Sequence, residues 1–395
     1  MFDQNGVSRR GFVGGVATAM AGGYLGITSP GDRLLYAGRE PVRLRPPAPR
    51  GGEDPYDLLA KLHYNENPYG PPESVLKAMT QAFKYANRYG YPDGNIVQEI
   101  AKHHGVKTEQ IVLGAGSGEI LDVVGSAFAP NGKKVLGVEP SYGFVYSHVS
   151  SVMGASITLP LTADYQQDIP ALIRAAKRHY REIGFVYLCN PNNPTGRIVT
   201  KQEVAQLLDG LPEDLPVLID EAYFHFVEDP SYATAIPYVT EGRPVIVTRT
   251  FSKIAALAGM RLGYAVAAPE LIQRITPYIS DSINAVVKWG GVAALKDTES
   301  QARVKRVTLQ LRKQTTTELT ALGYSVVPSE TNFFMVHLGR RVEPVILEFE
   351  KRGVLVGRPF PPMMEHLRVS VGTADEMRRF MVAFKENMAQ PANHS

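Results

Sequence analysis

Cysteine, net charge and long apolar runs are all scarce in this sequence, and each scarcity excludes a class of protein. A single cysteine, Cys189, among 395 residues rules out an intramolecular disulfide framework. The 42 lysines and arginines nearly balance 39 acids and leave a formal charge of +3, which is too weak to favour binding of nucleic acid or of bulk membrane. No run reaches the roughly 20 apolar residues of a stable membrane span. Small-molecule chemistry is the function class that remains.

Apolar residues are present in the amount that a large folded core requires. With 44% hydrophobic and 21% charged residues over 395 positions, we predict a globular chain that divides into two domains. The nine histidines show no spacing typical of metal ligands; the adjacent pair His103 and His104 is predicted to lie on a solvated helix face. We therefore expect no metal site.

The amino terminus carries an arginine pair, Arg9 and Arg10, followed by an uncharged stretch rich in glycine and alanine that runs to Ile27. This pattern resembles a twin-arginine export signal. We therefore expect residues 1–29 to engage the twin-arginine export machinery and the protein to be periplasmic. The alternative is a basic terminal extension on a cytoplasmic protein. Residues 30–55, rich in proline, glycine and arginine, are predicted to be a linker.

Short β-branched runs alternate with helical patterns between about residues 109 and 268. This alternation is typical of an α/β fold with a largely parallel sheet covered by helices on both faces. The expected strands cover residues 111–113, 135–138, 185–188, 217–219 and 245–247.

The pattern changes after Ile272. A long charged helix over 301–322 precedes strands near 325–327 and 332–338, and a strand over 367–371 leads into a closing helix. We predict three folded regions: an N-terminal arm over 56–84, a large domain over 85–275 and a smaller α+β C-terminal domain over 276–395.

Chemically suggestive segments follow four of the predicted strands, where ligands of open α/β sheets bind. They are Gly114–Gly118, Asn190–Gly196, Asp220–Tyr223, and Thr248–Lys253 with the nearby run 258–263. Glycines before a helix let backbone N–H groups converge on a phosphate, and a buried carboxylate requires a cationic partner. A tight turn or a surface charge cluster explains each segment alone. Four such segments at one sheet predict a ligand site.

The motifs NPNNPTG, VLIDEAY, TFSK with AGMRLG, and LRVSVGT resemble those of class I/II aminotransferases of fold type I. Within that class, the opening YNENPYGPP and the YPDG stretch are most similar to the histidinol-phosphate aminotransferases. The resemblance extends from about Leu62 to Phe384. It implies a large domain with a mostly parallel sheet, a smaller C-terminal α+β domain, a homodimer, and the cofactor pyridoxal 5′-phosphate.

The resemblance also implies roles for the catalytic residues. Lys253 would hold the cofactor as a Schiff base and then act as general base and acid. Asp220 would pair with the pyridinium nitrogen of the cofactor. Asn193 and Tyr223 would hydrogen-bond its phenolate oxygen, and Tyr142 would stack on the ring, unless it is simply a core tyrosine.

The cofactor phosphate would be bound by several residues at once, with Arg261 as a charged and potentially bidentate partner. Tyr91 resembles the tyrosine that reaches the phosphate of a neighbouring subunit. The other implied phosphate-side residues are Ser117, Gly118, Thr250 and Ser252.

The substrate site is implied by the same resemblance. Arg368 would bind the substrate carboxylate, and Asn67 and Arg358 would line the side-chain end of the pocket. The family often has an acidic residue in place of Gly118 and an asparagine in place of Ala115, so the amino donor is predicted to be histidinol phosphate or another amino acid, aromatic or dicarboxylic.

Two other function classes share part of this pattern. Other fold-type-I pyridoxal enzymes, such as lyases and decarboxylases, use the same lysine and aspartate. An exported binding protein with an inactive aminotransferase body is a remote alternative. A dinucleotide-binding fold is disfavoured, because Gly114 and Gly116 lack the third glycine at the required spacing.

Overall fold

The computed structural model describes residues 54–89, 92–281 and 283–389, so the predicted export signal and nearly all of the predicted linker lie outside the described residues. Within those ranges the α-helices are α1 (Glu73–Ala82), α2 (Ile96–His104), α3 (Ser117–Phe128), α4 (Phe144–Ser151), α5 (Ile169–Arg178), α6 (Lys201–Gly210), α7 (Ile236–Thr240), α8 (Pro269–Ile275), α9 (Ala285–Lys296), α10 (Thr298–Ala321), α11 (Val342–Lys351) and α12 (Ala374–Ala389). The strands are β1 (Ala60–Leu62), β2 (Ile111–Gly114), β3 (Lys134–Glu139), β4 (Ala155–Pro160), β5 (Ile183–Cys189), β6 (Val217–Asp220), β7 (Val245–Thr250), β8 (Gly263–Ala267), β9 (Ser325–Val327), β10 (Phe333–His337), β11 (Val354–Val356) and β12 (His366–Ser370).

The largest sheet has seven strands in the order β2-β8-β7-β6-β5-β3-β4. The pairs β3–β4, β3–β5, β5–β6 and β6–β7 are parallel, whereas β8 is antiparallel to both of its neighbours. Successive side chains point to opposite faces, so Val217 and Ile219 pack into one apolar layer and Leu218 into the other. Helices α3, α4 and α8 cover one face, and α1, α2, α5, α6 and α9 cover the other. This is the predicted α/β architecture.

A smaller antiparallel sheet, in the order β12-β10-β9, follows late in the chain. The arm strand β1 pairs in parallel with β11, with Ala60 opposite Val354. A separate core forms around these strands from α11, α12 and one face of β10 and β12. The predicted boundaries of the arm, the large domain and the small domain remain predictions.

Two helices begin with reciprocal capping boxes. Thr200 and Glu203 make a reciprocal capping box at the start of α6. Thr373 and Glu376 exchange the same pair of bonds before α12, with N···O distances of 2.8 and 3.2 Å. Across the described part of the chain, no helix combines the length and the apolar character needed to cross a membrane.

Candidate active site

The predicted site segments meet at the carboxyl ends of β5, β6 and β7. These strands are adjacent and parallel, and their register places Cys189 opposite Asp220 and Asp220 opposite Thr248. The turns that follow the three strands therefore open on the same edge of the sheet. That edge is where ligands of open α/β sheets bind.

Lys253 lies three residues beyond β7 and is half-buried. Its Nζ donates to the carbonyl oxygen of Tyr64 at 3.1 Å and lies 5.6 Å from the centre of the Tyr223 ring. Burial, reinforced by the positive charge of Arg368, lowers the pKa of Lys253 from 10.5 to about 8. About a tenth of the amine is therefore neutral and nucleophilic at pH 7, far more than for an ordinary lysine.

Asp220 ends β6 with only 2% of its surface exposed. Its Oδ1 accepts hydrogen bonds from the backbone N–H of Ala222 at 3.1 Å and from the hydroxyl of Thr248 at 3.3 Å. Burial raises the pKa of Asp220 from 3.8 to about 6, although both hydrogen bonds oppose the rise. A cation placed against this carboxylate would stabilise its charged form.

Two asparagines hold the hydroxyl of Tyr223. Asn65 donates to it from Nδ2 at 3.1 Å and Asn193 from Nδ2 at 3.4 Å. Asn65 is fixed in turn by Ser370, whose Oγ donates to Asn65 Oδ1 at 2.7 Å. Burial raises the pKa of Tyr223, so the hydroxyl stays protonated and can donate to an anionic oxygen.

Arg368 lies on β12 and is only 6% exposed. Its Nη1 donates to Asn193 Oδ1 at 2.7 Å, its Nη2 donates to the carbonyl oxygen of His63, and its buried Nε lacks a hydrogen-bond partner among the described residues. Burial lowers the pKa of Arg368 from 12.5 to about 10. A buried guanidinium whose named partners are an amide and a carbonyl, rather than a carboxylate, favours an incoming anion.

Arg358 brings a second positive charge to the same place. The ring of Phe360 lies beneath both guanidinium groups, with its centre 4.3 Å from Cζ of Arg358 and 4.7 Å from Cζ of Arg368. The charge of Arg358 also contributes to the lowered pKa of Arg368. Two guanidinium groups beside one ring concentrate positive charge there, which favours an anionic ligand.

The glycine-rich turn after β2 receives the side chain of Arg261. Gly116 has φ +81° and immediately precedes α3, and Arg261 donates from Nη2 to the carbonyl oxygen of Ala115 at 3.0 Å. A Cβ at Gly116 would lie 2.1 Å from that Nη2, so only glycine leaves room for the guanidinium. Ser117 and Gly118 then begin α3, where unpaired backbone N–H groups favour a phosphate.

Hydroxyl groups and an aromatic ring complete this side of the site. Thr250 donates to the Oγ of Ser252 at 2.8 Å. Tyr142 stacks on Phe144 with ring centres 5.9 Å apart and planes 9° from parallel. Burial, with a contribution from the charge of Asp220, raises the pKa of Tyr142 to about 12.

Two of the predicted residues lie differently from the rest. Asn67 donates from Nδ2 to the carbonyl oxygen of Ile254 at 2.9 Å and lines a cavity of about 220 Å³ that also borders Asp297 and Arg303. It is therefore tied to the backbone next to Lys253. Tyr91 lies outside the described residues.

His63 and Asn65 join the site although the motif analysis did not single them out. Both lie just after β1, in the arm, and reach Arg368 and Ser370, which are about 305 residues away along the chain. The only signal in the sequence was the YNENPYGPP motif, which contains Asn65 and directly follows His63. Contacts of such sequence separation leave no periodic pattern.

The residues present fit pyridoxal phosphate. An amine with a lowered pKa, a buried carboxylate with no ion-pair partner among the described residues, and a glycine turn with an arginine above it correspond to the aldehyde, the ring nitrogen and the phosphate of that molecule. The fit uses residues from three separate strand ends.

The chain belongs to the class I and II aminotransferases, since residues 59–384 match that family. It is 34% identical over 338 residues to the histidinol-phosphate aminotransferase of Symbiobacterium thermophilum, an alignment that covers 84% of this chain and 91% of the relative. It is also 37% identical over 328 residues to an aromatic amino acid aminotransferase of Rhodococcus jostii, with coverage of 81% and 88%.

Solved structures agree with this assignment. A putative histidinol-phosphate aminotransferase from Erwinia carotovora atroseptica superposes with a TM-score of 0.80 at 31% identity, covering 85% of this chain and 96% of that one. The histidinol-phosphate aminotransferase of Sinorhizobium meliloti, solved in complex with pyridoxal-5′-phosphate, gives 0.78 at 26%, with coverage of 83% and 90%. The predicted fold type I and the predicted pyridoxal-phosphate-dependent aminotransferase function are thereby confirmed.

One prediction was wrong. The chain was expected to be a periplasmic protein exported by a twin-arginine signal, but its relatives are histidinol-phosphate aminotransferases, which belong to cytoplasmic biosynthesis. The arginine pair misled the interpretation because two basic residues before a small-residue stretch also suit a plain basic extension. These residues lie outside the described part of the chain.

Proposed function

We propose that this aminotransferase uses Lys253 as its attachment and proton-transfer residue and histidinol phosphate as its amino donor. The observation that carries the proposal is that Lys253 and Asp220 lie at one edge of the seven-stranded sheet, and that Arg368 reaches Asn193 at this edge from β12 of the small sheet. Bound pyridoxal phosphate supplies an electron sink for the bonds to the donor's α-carbon.

Lys253 acts on the proton at the α-carbon of the donor. Its pKa of about 8 lets the amine accept that proton near neutral pH and return it in the same turnover. The carbonyl oxygen of Tyr64 orients Nζ. The residue is thus both the covalent anchor and the general base.

Asp220 and Tyr223 set the charge on the two sides of the cofactor ring. The carboxylate of Asp220 holds a proton on the ring nitrogen, because its burial makes an opposite charge strongly favourable. Tyr223, held by Asn65 and Asn193, donates to the ring oxygen. Ser117, Gly118, Thr250, Ser252 and Arg261 bind the phosphate.

The two positive charges of Arg358 and Arg368 support histidinol phosphate as the donor. A phosphate presents more anionic oxygens than a carboxylate and suits two guanidinium groups over one ring. The names of several relatives, at 33% and 34% identity, support histidinol phosphate. An aromatic amino acid is the second candidate, because the Rhodococcus relative named for that activity is 37% identical.

Steady-state kinetics across a donor panel tests the proposal. Histidinol phosphate, phenylalanine, tyrosine and aspartate are each compared with 2-oxoglutarate as acceptor, while glutamate, ammonia and carbon dioxide are measured as products. We expect glutamate to form in step with donor loss and kcat/KM to be highest for histidinol phosphate. A preference for phenylalanine or tyrosine would establish the second candidate, and release of ammonia or carbon dioxide would indicate a lyase or a decarboxylase.

Borohydride reduction tests the anchor itself. Reduction of the cofactor-loaded protein should attach the cofactor mass to the peptide that contains Lys253, and Lys253→Ala should remove the label. Lys288→Ala is a suitable control, because Lys288 is a buried lysine on α9 outside the proposed site. Labelling of any other lysine would contradict the assignment.

A further inference from the structure

Three polar side chains outside the cofactor site form a chain between α3 and α4. His148 Nδ1 lies 3.1 Å from Oδ1 of Asp122, and His148 Nε2 lies 2.8 Å from Oγ of Ser126. The Nδ1–Oδ1 contact is an ion-pair distance, and the Nε2–Oγ contact is a hydrogen bond. A proton on Nδ1, beside the carboxylate, leaves Nε2 of the neutral ring as the acceptor for the Ser126 hydroxyl. The imidazole thus lies between the carboxylate and the hydroxyl.

The same order of groups occurs in serine hydrolases, but the surroundings here differ. Ser126 lies inside α3, whose backbone N–H groups donate within the helix. They are not available to stabilise an oxyanion beside Oγ, a contribution on which acyl transfer depends. The arrangement therefore suits a fixed attachment rather than nucleophilic attack.

Gly125 shows that α3 is shaped to receive the imidazole. A Cβ at Gly125 would lie 3.0 Å from Cδ2 of His148 and 3.1 Å from Cγ2 of Val149. Glycine is unfavourable inside a helix, so its use here is explained by the close approach of α4. Asp122, Gly125 and Ser126 share one helix face at spacings of three and four residues. We call these three residues the His148 seat.

A second contact fixes the other end of α4. Phe144, its first residue, lies against α3 near Gly118, since a Cβ at Gly118 would be 3.5 Å from Cζ of Phe144. Phe144 also stacks on Tyr142. The position of Tyr142 relative to the start of α3 is therefore controlled by how α4 docks on α3.

We propose that the His148 seat is a positioning device for the cofactor. It fixes α4, and through α4 the ring of Tyr142, at a set place relative to the phosphate-binding start of α3. The inference rests on the proposed function, because it takes Tyr142 as the residue that stacks on the cofactor ring. His148, Asp122 and Ser126 are positioning residues that act through Tyr142.

Cofactor binding tests the seat through His148→Ala, His148→Gln, Asp122→Asn and Ser126→Ala. The dissociation constant of pyridoxal phosphate is measured by titration of the apo protein, and the orientation of the bound ring by visible circular dichroism. Loss of the hydrogen bond to Ser126 and of the ion-pair contact with Asp122 in His148→Ala should raise the dissociation constant roughly fivefold to thirtyfold and change the dichroic band. His148→Gln, Asp122→Asn and Ser126→Ala should have smaller effects in the same direction.

His179→Ala is the matched control. His179 Nδ1 also lies 3.1 Å from a carboxylate, that of Glu182, but on the surface at the end of α5. This variant should bind the cofactor as the native protein does. Thermal unfolding of each apo variant separates a purely structural loss from a loss of positioning.

The outcomes are distinguishable. If His148→Ala lowers only the apo melting temperature and leaves the dissociation constant and the dichroic band unchanged, the seat has no positioning role. If His148→Ala fails to fold, the same decision is made with Asp122→Asn and Ser126→Ala. Labelling of Ser126 by a fluorophosphonate would show a nucleophile and overturn the inference. Failure of the native protein to bind the cofactor would instead overturn the proposed function.

Discussion

At the scale of single residues, the lowered pKa of Lys253 predicts how the rate of cofactor attachment depends on pH. A lysine amine attacks a carbonyl carbon only when it is neutral, and burial together with Arg368 lowers the pKa of Lys253 to about 8. The rate of cofactor attachment to the apo protein should therefore rise with pH, reach half its maximum near pH 8 and level off above that. Stopped-flow absorbance measures this rate.

Arg368→Met should move that midpoint toward higher pH, because it removes a positive charge that disfavours the protonated amine. Arg378→Met, a surface change on α12, should leave the midpoint unchanged. A midpoint near 10.5 in the native protein would show that Lys253 behaves as an ordinary exposed lysine, and the electrostatic account of the site would be wrong.

The positions of residues after strands predicted which of them lie together, whereas their roles were implied by the family resemblance. Asp220 and Lys253 could be predicted because parallel strands bring their carboxyl ends to one edge. Asn65 and His63 could not, because their partners Ser370 and Arg368 are remote in the chain and on a different sheet. The contact between the arm and β12 forms only when the chain folds, so no local sequence pattern predicts it.

At the scale of elements, the turn between β2 and α3 shows why a glycine is required. Gly116→Ala would place a Cβ 2.1 Å from the Arg261 guanidinium and would hold alanine at φ +81°. Arg261 would have to leave its position above the turn. The dissociation constant of pyridoxal phosphate should rise about tenfold or more, since a charged phosphate contact is lost.

Gly132→Ala separates the effect of the positive φ from the effect of the steric clash with Arg261. Gly132 also has positive φ, +84°, but a Cβ added there would meet no atom within 4 Å. Both variants should lose about 1 kcal/mol of folding free energy for the backbone conformation, measured by urea denaturation. Only Gly116→Ala should weaken cofactor binding. Equal cofactor affinity in the two variants would refute the steric explanation.

Prediction of elements succeeded for the central parallel strands and failed for two other strands of the same sheet. Strands β5, β6 and β7 are runs of buried apolar residues, so their pattern is plain in the sequence. The edge strand β4 is largely half-exposed and has no distinctive period, so it was missed. The strand β8 was also missed, although all of its residues are buried, because it is short and begins at Gly263, the last residue of the AGMRLG motif.

At the scale of the whole molecule, the site joins three parts of the fold. The arm supplies Asn65 and His63, the seven-stranded sheet supplies Asp220, and the small antiparallel sheet supplies Arg368. A movement of β12 relative to β6 would therefore change the distance between Arg368, which is proposed to bind the substrate anion, and Asp220, which is proposed to bind the cofactor ring. The geometry of substrate binding depends on how these parts pack together.

A second copy of the chain is predicted to complete the site, because the family resemblance places Tyr91 at the cofactor phosphate of the neighbouring subunit. In a homodimer with two shared sites, Lys253→Ala inactivates the site of its own subunit and Tyr91→Ala weakens the site of its partner. A heterodimer of the two variants keeps one site with both residues intact. Differently tagged chains, co-expressed and purified through both tags, should therefore show about half the native activity per dimer at limiting cofactor, whereas each variant homodimer should show much less. If Tyr91 instead serves its own subunit, the heterodimer will only average the two homodimers, and its activity will not exceed that of the better one.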